Sequence, residues 1–208
     1  MSQKIENVVF DVGQVLFEYD PGRIIDEVIG NTPYKDEYLE SLFYAPLWQE
    51  LDRGDVSQEE ALSQLSNGSK GQSRKSEDYR ALLNNYPYHL NLIEGTQNIF
   101  LTLHEQGYPL YILSNFQSEP FDKLINHHPF LNAVEGIVVS SKINMMKPEP
   151  AIYTHLLDTY SISPESTLFI DDLSENIDAA KEQGISGIVF ETPEKLEADL
   201  SQFQFNLQ

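Results

Sequence analysis

The sequence predicts an α/β fold: a doubly wound, Rossmann-like parallel sheet with a small α-helical cap inserted after the first strand. Three observations predict it. Short apolar runs recur along the chain, each followed by polar or turn residues, and such runs are typical of parallel strands buried on both faces. Segments with helical spacing alternate with these runs, as crossovers between parallel strands require. One long stretch breaks the alternation and carries only helical patterns.

The strands and helices of the core are predicted in regular order. Strands are predicted at 8–10, 110–113, 137–139, 168–170 and 187–190. Helices are predicted at about 94–106, 117–127, 149–160 and 174–183. Because each helix lies between two apolar runs, we expect these elements to form one core domain made of residues 1–16 and 91–208.

Residues 17–90 interrupt this pattern, because they contain several helical patterns and no convincing strand run. Ser57 is followed three residues later by Glu60, which is the spacing of a capping box at the start of a helix. We therefore expect residues 17–90 to form a separate helical cap domain.

Length and composition exclude several classes of protein. The chain has 208 residues, of which 40% are hydrophobic, enough for one sizeable core. It has no cysteine, which excludes disulfides, thiol nucleophiles and thiolate zinc sites. No apolar run approaches the roughly 18 residues of a membrane span, and the first residues show no hydrophobic signal region. The expectation is a soluble, cytoplasmic protein.

The charge narrows the possible partners. The formal net charge is −20, from 33 acidic and 13 basic residues. Such a chain repels nucleic acid and anionic membranes, so we expect neither as a partner. Basic residues concentrate only at 70–80, a pattern typical of a solvated loop and helix start. An anionic substrate would require placed cations or a metal ion, and the sequence carries no signal for an oligomeric state.

Polar residues follow three of the predicted strands, at the edge where open parallel sheets bind ligands. Asp11 follows the first strand, Ser114 and Asn115 follow the second, and Asp171 and Asp172 follow the fourth. Each feature alone has a plainer interpretation, a turn cap for Asp11 and a helix N-cap for Ser114 and Asn115. The adjacent acids are harder to explain without a cation, because two neighbouring carboxylates repel each other.

A single chemistry connects these residues. An oxygen-rich site suits Mg²⁺, which prefers carboxylates together with water and substrate phosphate. Asp11 is then a carboxylate nucleophile, and the acidic pair helps to hold the metal. Lys147 precedes Pro148, in a loop entering a helix, where a surface lysine is the ordinary alternative. In the catalytic interpretation it stabilises phosphoryl oxygens, to which Ser114 and the Asn115 amide also donate hydrogen bonds.

Four stretches resemble, in order, the motifs of the haloacid dehalogenase-like superfamily, and the resemblance spans nearly the whole chain. They are VVFDVGQVL at 8–16, ILSN at 112–115, KPE at 147–149 and FIDD at 169–172. The ordered set is specific, although each motif alone is weak. The resemblance implies a cap after the first motif, at 17–90. It also implies that Mg²⁺ is bound by Asp11, the Gly13 carbonyl and Asp172, with Asp171 acting directly or through water.

Gly13 departs from the pattern of the phosphatases in this superfamily. They usually carry an aspartate there, which protonates the leaving group and then activates water. The chain can use a leaving group that needs little protonation, borrow Glu18, Asp20 or Glu50, or be a mainly binding member. Bacterial glucose 1-phosphate phosphatases, which this sequence resembles through residues 50–57 as well, also have glycine there and are active.

Residues of the cap and of the second motif are the candidates for substrate contacts. We expect Glu50 and Arg53 to face the site together with Trp48, and Phe116 and Gln117 to line it after the second motif. A closing cap excludes water and supplies specificity. For the charged residues the plain alternative is surface solvation, and for Trp48 it is core packing.

The predicted function is a Mg²⁺-dependent phosphatase that acts on a small phosphorylated metabolite, a sugar phosphate, through an aspartyl-phosphate on Asp11. One alternative is a non-catalytic or weakly active binding protein of the same fold, which Gly13 favours. A haloacid dehalogenase is less favoured, because those enzymes need no metal and lack the adjacent acidic pair found at Asp171 and Asp172.

Overall fold

The computed structural model describes residues 4–68 and 73–205. Its strands are β1 (Asn7–Phe10), β2 (Phe17–Glu18), β3 (Asn91–Leu92), β4 (Leu110–Ser114), β5 (Gly136–Val139), β6 (Thr167–Asp171) and β7 (Ser186–Val189). Five of them form one parallel sheet in the order β5-β4-β1-β6-β7. The predicted α/β fold class is confirmed.

The register of the central strands explains why polar residues converge at one edge. β1 lies between β4 and β6, and Phe10 pairs with Ile112 on one side and Ile170 on the other. All residues of these three strands are buried, with apolar packing on both faces of the sheet. The polar residues at the carboxyl ends of these three strands therefore approach the same end of the sheet, namely Asp11, Ser114 with Asn115, and Asp171 with Asp172.

The helices of the chain follow in order. They are α1 (Pro21–Val28), α2 (Lys35–Tyr38), α3 (Pro46–Arg53), α4 (Gln58–Gly68), α5 (Ser73–Asn85), α6 (Glu94–Glu105), α7 (Ser118–His127), α8 (Ser140–Ile143), α9 (Pro150–Tyr160), α10 (Ser174–Glu182) and α11 (Pro193–Gln202). Helices α6, α7, α9 and α10 agree closely with the predicted helices. Helix α7 begins three residues after Asn115, and its N-cap is Gln117, not Ser114 or Asn115.

Helices α1 to α5 lie in the stretch where a helical cap is predicted, and we refer to these helices as the cap. The capping box is confirmed, since the Ser57 N–H donates to Glu60 Oε2 at 2.9 Å and the Glu60 N–H donates to Ser57 Oγ at 3.2 Å. β2 and β3 pair antiparallel where the chain passes between the sheet and these helices, and the predicted boundaries at 16/17 and 90/91 fall at this pair. Of the basic residues expected in a loop, Lys70 lies outside the described residues.

Hydrophobic packing joins the cap to one face of the sheet. Phe43 and Leu82 of the cap belong to the same buried cluster as Phe10, Phe100 and other side chains of the core. A second buried cluster, on the opposite face of the sheet, includes side chains of α9 and α10. Within residues 4–68 and 73–205, no helix combines the length and the apolar character that crossing a bilayer requires.

Candidate active site

A cavity of about 190 Å³ lies at the carboxyl ends of β1, β4 and β6, beneath the cap. Asp11, Asn115, Lys147 and Asp172 reach it from the loops that follow the strands and from the loop before α9. The cap side is mainly aromatic. We call Tyr19, Trp48, Tyr86 and Phe116 the aromatic wall, because their rings form a chain of contacts with centroids 5.1 to 5.9 Å apart.

Lys147 is the cationic side chain among the described residues that line this cavity, and only 1% of it is exposed. Its Nζ lies 2.9 Å from Asp11 Oδ1 and 2.6 Å from Asp171 Oδ2. Asn115 holds its backbone from both sides, because Asn115 Nδ2 donates to the Lys147 carbonyl at 2.9 Å while the Lys147 N–H donates to Asn115 Oδ1 at 2.8 Å. The surface interpretation of Lys147 is therefore wrong.

Asp171 is fully buried, and both of its carboxylate oxygens are occupied by protein donors. Oδ2 accepts from Lys147, while Oδ1 accepts from the Leu173 N–H and from Asn176 Nδ2, both at 2.9 Å. Asp172 differs, because it is only partly buried and lines the cavity. Asp171 thus orients the lysine and the loop after β6, while Asp172 faces the space where a ligand would lie.

The burial of these groups shifts their pKa values. Burial raises the pKa of Asp11 to about 7, because Lys147 offsets only part of the cost and Asp171 adds repulsion. Burial and the charge of Asp171 also raise the pKa of Asp172. Burial opposes the charged form of Lys147, yet Asp11 and Asp171 outweigh it and hold its pKa above the usual range. An additional cation would therefore stabilise the ionised forms of Asp11 and Asp172.

The carboxyl groups fit a divalent metal ion. One oxygen from each of Asp11, Asp171 and Asp172 lies within 4.8 Å of the others. Asp11 Oδ1 is buried and accepts no hydrogen bond of normal geometry from the described residues, although Lys147 Nζ lies nearby. One lysine faces three carboxylates, so the site has an excess of hard oxygen ligands, which suits Mg²⁺. Gly13 also lines the cavity.

The remaining predicted residues divide between the cavity and its surroundings. Phe116 and Trp48 line the cavity, as expected of substrate contacts. Ser114 is buried at the end of β4 and is not among the described residues that line it. Glu50 is exposed outside the cavity. Arg53 binds the Glu149 carboxylate of the core with two of its nitrogens, and lies 3.5 Å from Asp55.

The acids proposed as substitutes for the missing aspartate lie elsewhere. Glu18 is exposed and accepts a hydrogen bond from Asn91 at 3.3 Å. Asp20 caps α1 by accepting from the Arg23 N–H at 3.1 Å. Neither residue is among the described residues that line the cavity.

The sequence reasoning missed Asp52, which enters the cavity from the last turn of α3. A signal for it was present, because Trp48 and Asp52 are four residues apart and therefore share a helix face. Once Trp48 was expected to face the site, the helical period also indicated Asp52. Glu50 lies two residues from each of them and projects from another side of the helix.

Comparison with known proteins agrees with this architecture. Residues 23–190 match the family model of haloacid dehalogenase-like hydrolases. The sesquiterpene phosphatase astK of Aspergillus oryzae is 28% identical over 188 residues, which are 90% of this chain and 91% of that protein. The D-ribitol-5-phosphate phosphatase of Bacteroides thetaiotaomicron is 25% identical over 189 residues, covering 86% and 89%.

Solved structures show the same fold. The HAD family enzyme bt-2542 of Bacteroides thetaiotaomicron superposes with a TM-score of 0.75 at 24% identity, covering 95% of this chain and 98% of that one. Another structure of bt-2542 holds magnesium and inorganic phosphate, and superposes with a TM-score of 0.71 at 23% identity, covering 90% and 95%. The family match spans most of the chain, and the protein therefore belongs to the haloacid dehalogenase-like hydrolases.

Proposed function

We propose that the protein is a Mg²⁺-dependent phosphatase that hydrolyses a small phosphate monoester through an aspartyl-phosphate on Asp11. The observation that carries this proposal is the Asp11 carboxylate at the end of β1, placed 2.9 Å from the buried Lys147 and within 4.8 Å of two further carboxylates. A buried carboxylate nucleophile on its own would need one cation at most. Three carboxylates beside one lysine also suit the binding of a metal ion and a phosphate. The astK phosphatase and the D-ribitol-5-phosphate phosphatase, both relatives of this chain, support the same reaction.

Each residue has a definite task in this reaction. An oxygen of Asp11 forms a bond to phosphorus while the bond from phosphorus to the leaving oxygen breaks. Lys147 stabilises the charge on the phosphoryl oxygens, and Asp171 with Asn115 keeps its ammonium group in place. Water then attacks phosphorus, loses a proton and regenerates the Asp11 carboxylate.

The metal would be held by the Asp11 and Asp172 carboxylates and by the Gly13 carbonyl. When bound, Mg²⁺ neutralises phosphate charge and favours in-line geometry. In the metal-free site the raised pKa of Asp11 weakens it as a nucleophile near neutral pH, because part of the population is protonated. A divalent ion favours the ionised form, and this argues for a metal requirement.

The cavity favours a sugar or polyol phosphate. Its volume of about 190 Å³ suits a small leaving group. The aromatic wall offers flat apolar surfaces for the C–H faces of a sugar, while the Asp52 carboxyl offers hydrogen bonds to hydroxyl groups. The D-ribitol-5-phosphate phosphatase among the relatives acts on a substrate of this class.

Two other functions agree less well with the site. A purely binding role would follow from Gly13, but it gives no reason for a buried lysine between two buried carboxylates. Haloacid dehalogenation releases a halide ion, which the neighbouring Asp171 and Asp172 carboxylates would repel.

Phosphate release from a panel of sugar phosphates, polyol phosphates and one aryl phosphate tests the proposal. We expect release that requires Mg²⁺, stops in EDTA and is lost in Asp11→Asn. Release unaffected by either EDTA or Asp11→Asn would contradict it. The exposed cap variant Asp36→Asn controls for a generic effect of removing one carboxylate.

A further inference from the structure

The reaction proposed above lacks a proton donor at the usual place. An alkoxide leaving group must gain a proton as its bond to phosphorus breaks, and Gly13 has no side chain to supply one. Among the described residues that line the cavity, the carboxyl groups belong to Asp11, Asp52 and Asp172. The nucleophile and the metal occupy the first and the third. Asp52 is the carboxyl that remains.

The backbone of Asp52 is fixed to the core although the residue belongs to the cap. Ser140 Oγ, in α8, donates to the Asp52 carbonyl and accepts from the Phe116 N–H at 2.9 Å. Asn144 Nδ2 donates to the Gly54 carbonyl at 3.0 Å, two residues further on. The end of α3 is thereby joined to the loop after β4 and to α8. The position of Asp52 relative to the site therefore depends on direct contacts with the core.

Among the described residues, no cation is close enough to the Asp52 carboxyl to lower its pKa. The Asp52 side chain touches the cavity surface, while protein atoms surround its carboxyl group. The hydroxyls of Tyr19 and Tyr86 lie near it, and Tyr19 Oη is buried without a hydrogen-bond partner in the described chain. The Gln117 amide is close enough to favour the ionised carboxylate slightly, although its Nε2 makes no hydrogen bond of normal geometry.

These surroundings suit a group that carries a proton. Burial raises the pKa of Asp52 well above its usual range, and the Gln117 amide offsets only part of this. The groups that face it are neutral, namely the two tyrosine hydroxyls and the amide, while Asp11, Lys147 and Asp172 line the same cavity. A carboxyl of raised pKa is matched to proton transfer nearer neutral pH than an ordinary aspartate.

We propose that Asp52 is the general acid and base of this phosphatase, acting from the cap in place of a side chain at position 13. Its carboxyl gives a proton to the leaving oxygen as Asp11 bonds to phosphorus. The resulting carboxylate then takes a proton from the water that attacks the aspartyl-phosphate. Asp52 is thereby returned to its protonated form, and phosphate and alcohol are the products. The inference rests on the proposed phosphatase function.

Leaving groups of different basicity test this role, because only a basic leaving group needs the acid. In Asp52→Asn, we expect kcat/KM for D-ribitol 5-phosphate to fall by roughly 10²–10³-fold. The kcat/KM for p-nitrophenyl phosphate should stay close to the wild-type value, since this constant reports only the steps through departure of the leaving group. Asp36→Asn, which changes an exposed cap aspartate outside the cavity, should change neither constant.

Gly13 provides a rescue that a structural role cannot imitate. A side-chain carbon at position 13 would meet no atom of the described chain within 4 Å, apart from its own neighbours. The double variant Gly13→Asp with Asp52→Asn should therefore recover most of the lost turnover of D-ribitol 5-phosphate. In the wild type, kcat/KM for this substrate should fall as pH rises through the pKa of Asp52. In Asp52→Asn, this decrease of kcat/KM with rising pH should be absent.

Each other outcome has a distinct meaning. If Asp52→Asn lowers kcat/KM equally for both substrates, or for neither, the general acid role is overturned. If Asp52→Asn does not fold, Asp52→Glu, which keeps a carboxyl group, takes its place. Its kcat/KM should then fall no more for D-ribitol 5-phosphate than for p-nitrophenyl phosphate. A larger fall for D-ribitol 5-phosphate would again overturn the role. Failure of the underlying phosphatase function would differ, because wild-type protein would then not hydrolyse p-nitrophenyl phosphate in an Asp11-dependent manner.

Discussion

Lys147 lies between two buried carboxylates, and its positive charge partly neutralises both of them. Its ammonium group is 2.9 Å from Asp11 and 2.6 Å from Asp171. The exposed fraction of the side chain is 1% for Lys147, 11% for Asp11 and 0% for Asp171. Removing the lysine leaves two like charges facing each other away from water. The site is therefore sensitive to this residue in both stability and activity.

We predict that Lys147→Met lowers the free energy of unfolding by about 3–5 kcal/mol, the usual cost of leaving a buried charge unpaired. Phosphate release should fall by roughly 10²–10³-fold, because the phosphoryl oxygens lose a fixed cation. Urea unfolding and phosphate assays measure the two effects. Lys142→Met is the matched control, since Lys142 pairs with Asp122 at the surface and its loss should cost less than about 1 kcal/mol.

The candidate site residues at the strand ends were easier to predict from the sequence than those of the cap. Asp11, Asp171 and Asp172 directly follow or end apolar strands, so their convergence follows from the geometry of a parallel sheet. Which cap residues face the cavity depends on the face that α3 turns towards it, and tertiary packing determines that face. As a result, Glu50 was expected at the cavity, whereas Asp52 is the carboxyl that the structure places there.

Gly54 is the point where helix α3 ends against the core. Its φ of 85° is left-handed, and an added Cβ would lie 2.5 Å from the Ser141 carbonyl oxygen. Such contact would force α3 and α8 apart, because the Ser141 oxygen belongs to the backbone and cannot rotate away. The close approach of these two helices thus depends on a glycine at position 54.

We predict that Gly54→Ala destabilises the protein more than Gly107→Ala does. Gly107 also has a positive φ, of 81°, but a Cβ there would meet nothing within 4 Å in the described chain. Gly107→Ala should therefore cost about 1 kcal/mol from backbone strain alone, and Gly54→Ala about 1–3 kcal/mol more from the clash. If urea unfolding gives the same loss of free energy of unfolding for both variants, the contact of α3 with Ser141 does not contribute to stability.

The elements of the core could be predicted because each strand carries its own local signal. Runs such as residues 110–113 are apolar throughout, and the helices between them have helical spacing. The order of the strands in the sheet, and the way the cap contacts the core, were not predictable in the same way. Both depend on contacts between residues far apart in sequence, such as Arg53 with Glu149.

At the scale of the whole molecule, the net charge of −20 opposes compactness. Like charges on one surface repel, and salt weakens this repulsion because the Debye length falls from about 30 Å at 0.01 M to about 10 Å at 0.1 M. We predict that the Tm in EDTA rises when sodium chloride is increased over this range. A Tm that falls would show that attractive ion pairs outweigh the general repulsion.

The central claim is a covalent phosphoryl group on Asp11, and acid quenching during turnover tests it most directly. The reaction with Mg²⁺ and p-nitrophenyl phosphate is stopped in acid, reduced with borohydride and digested, which converts an aspartyl-phosphate to homoserine. We predict homoserine at position 11 in the wild type and none in Asp11→Asn. An Asp11→Asn variant that releases phosphate at the wild-type rate, or homoserine at another aspartate, would contradict the account.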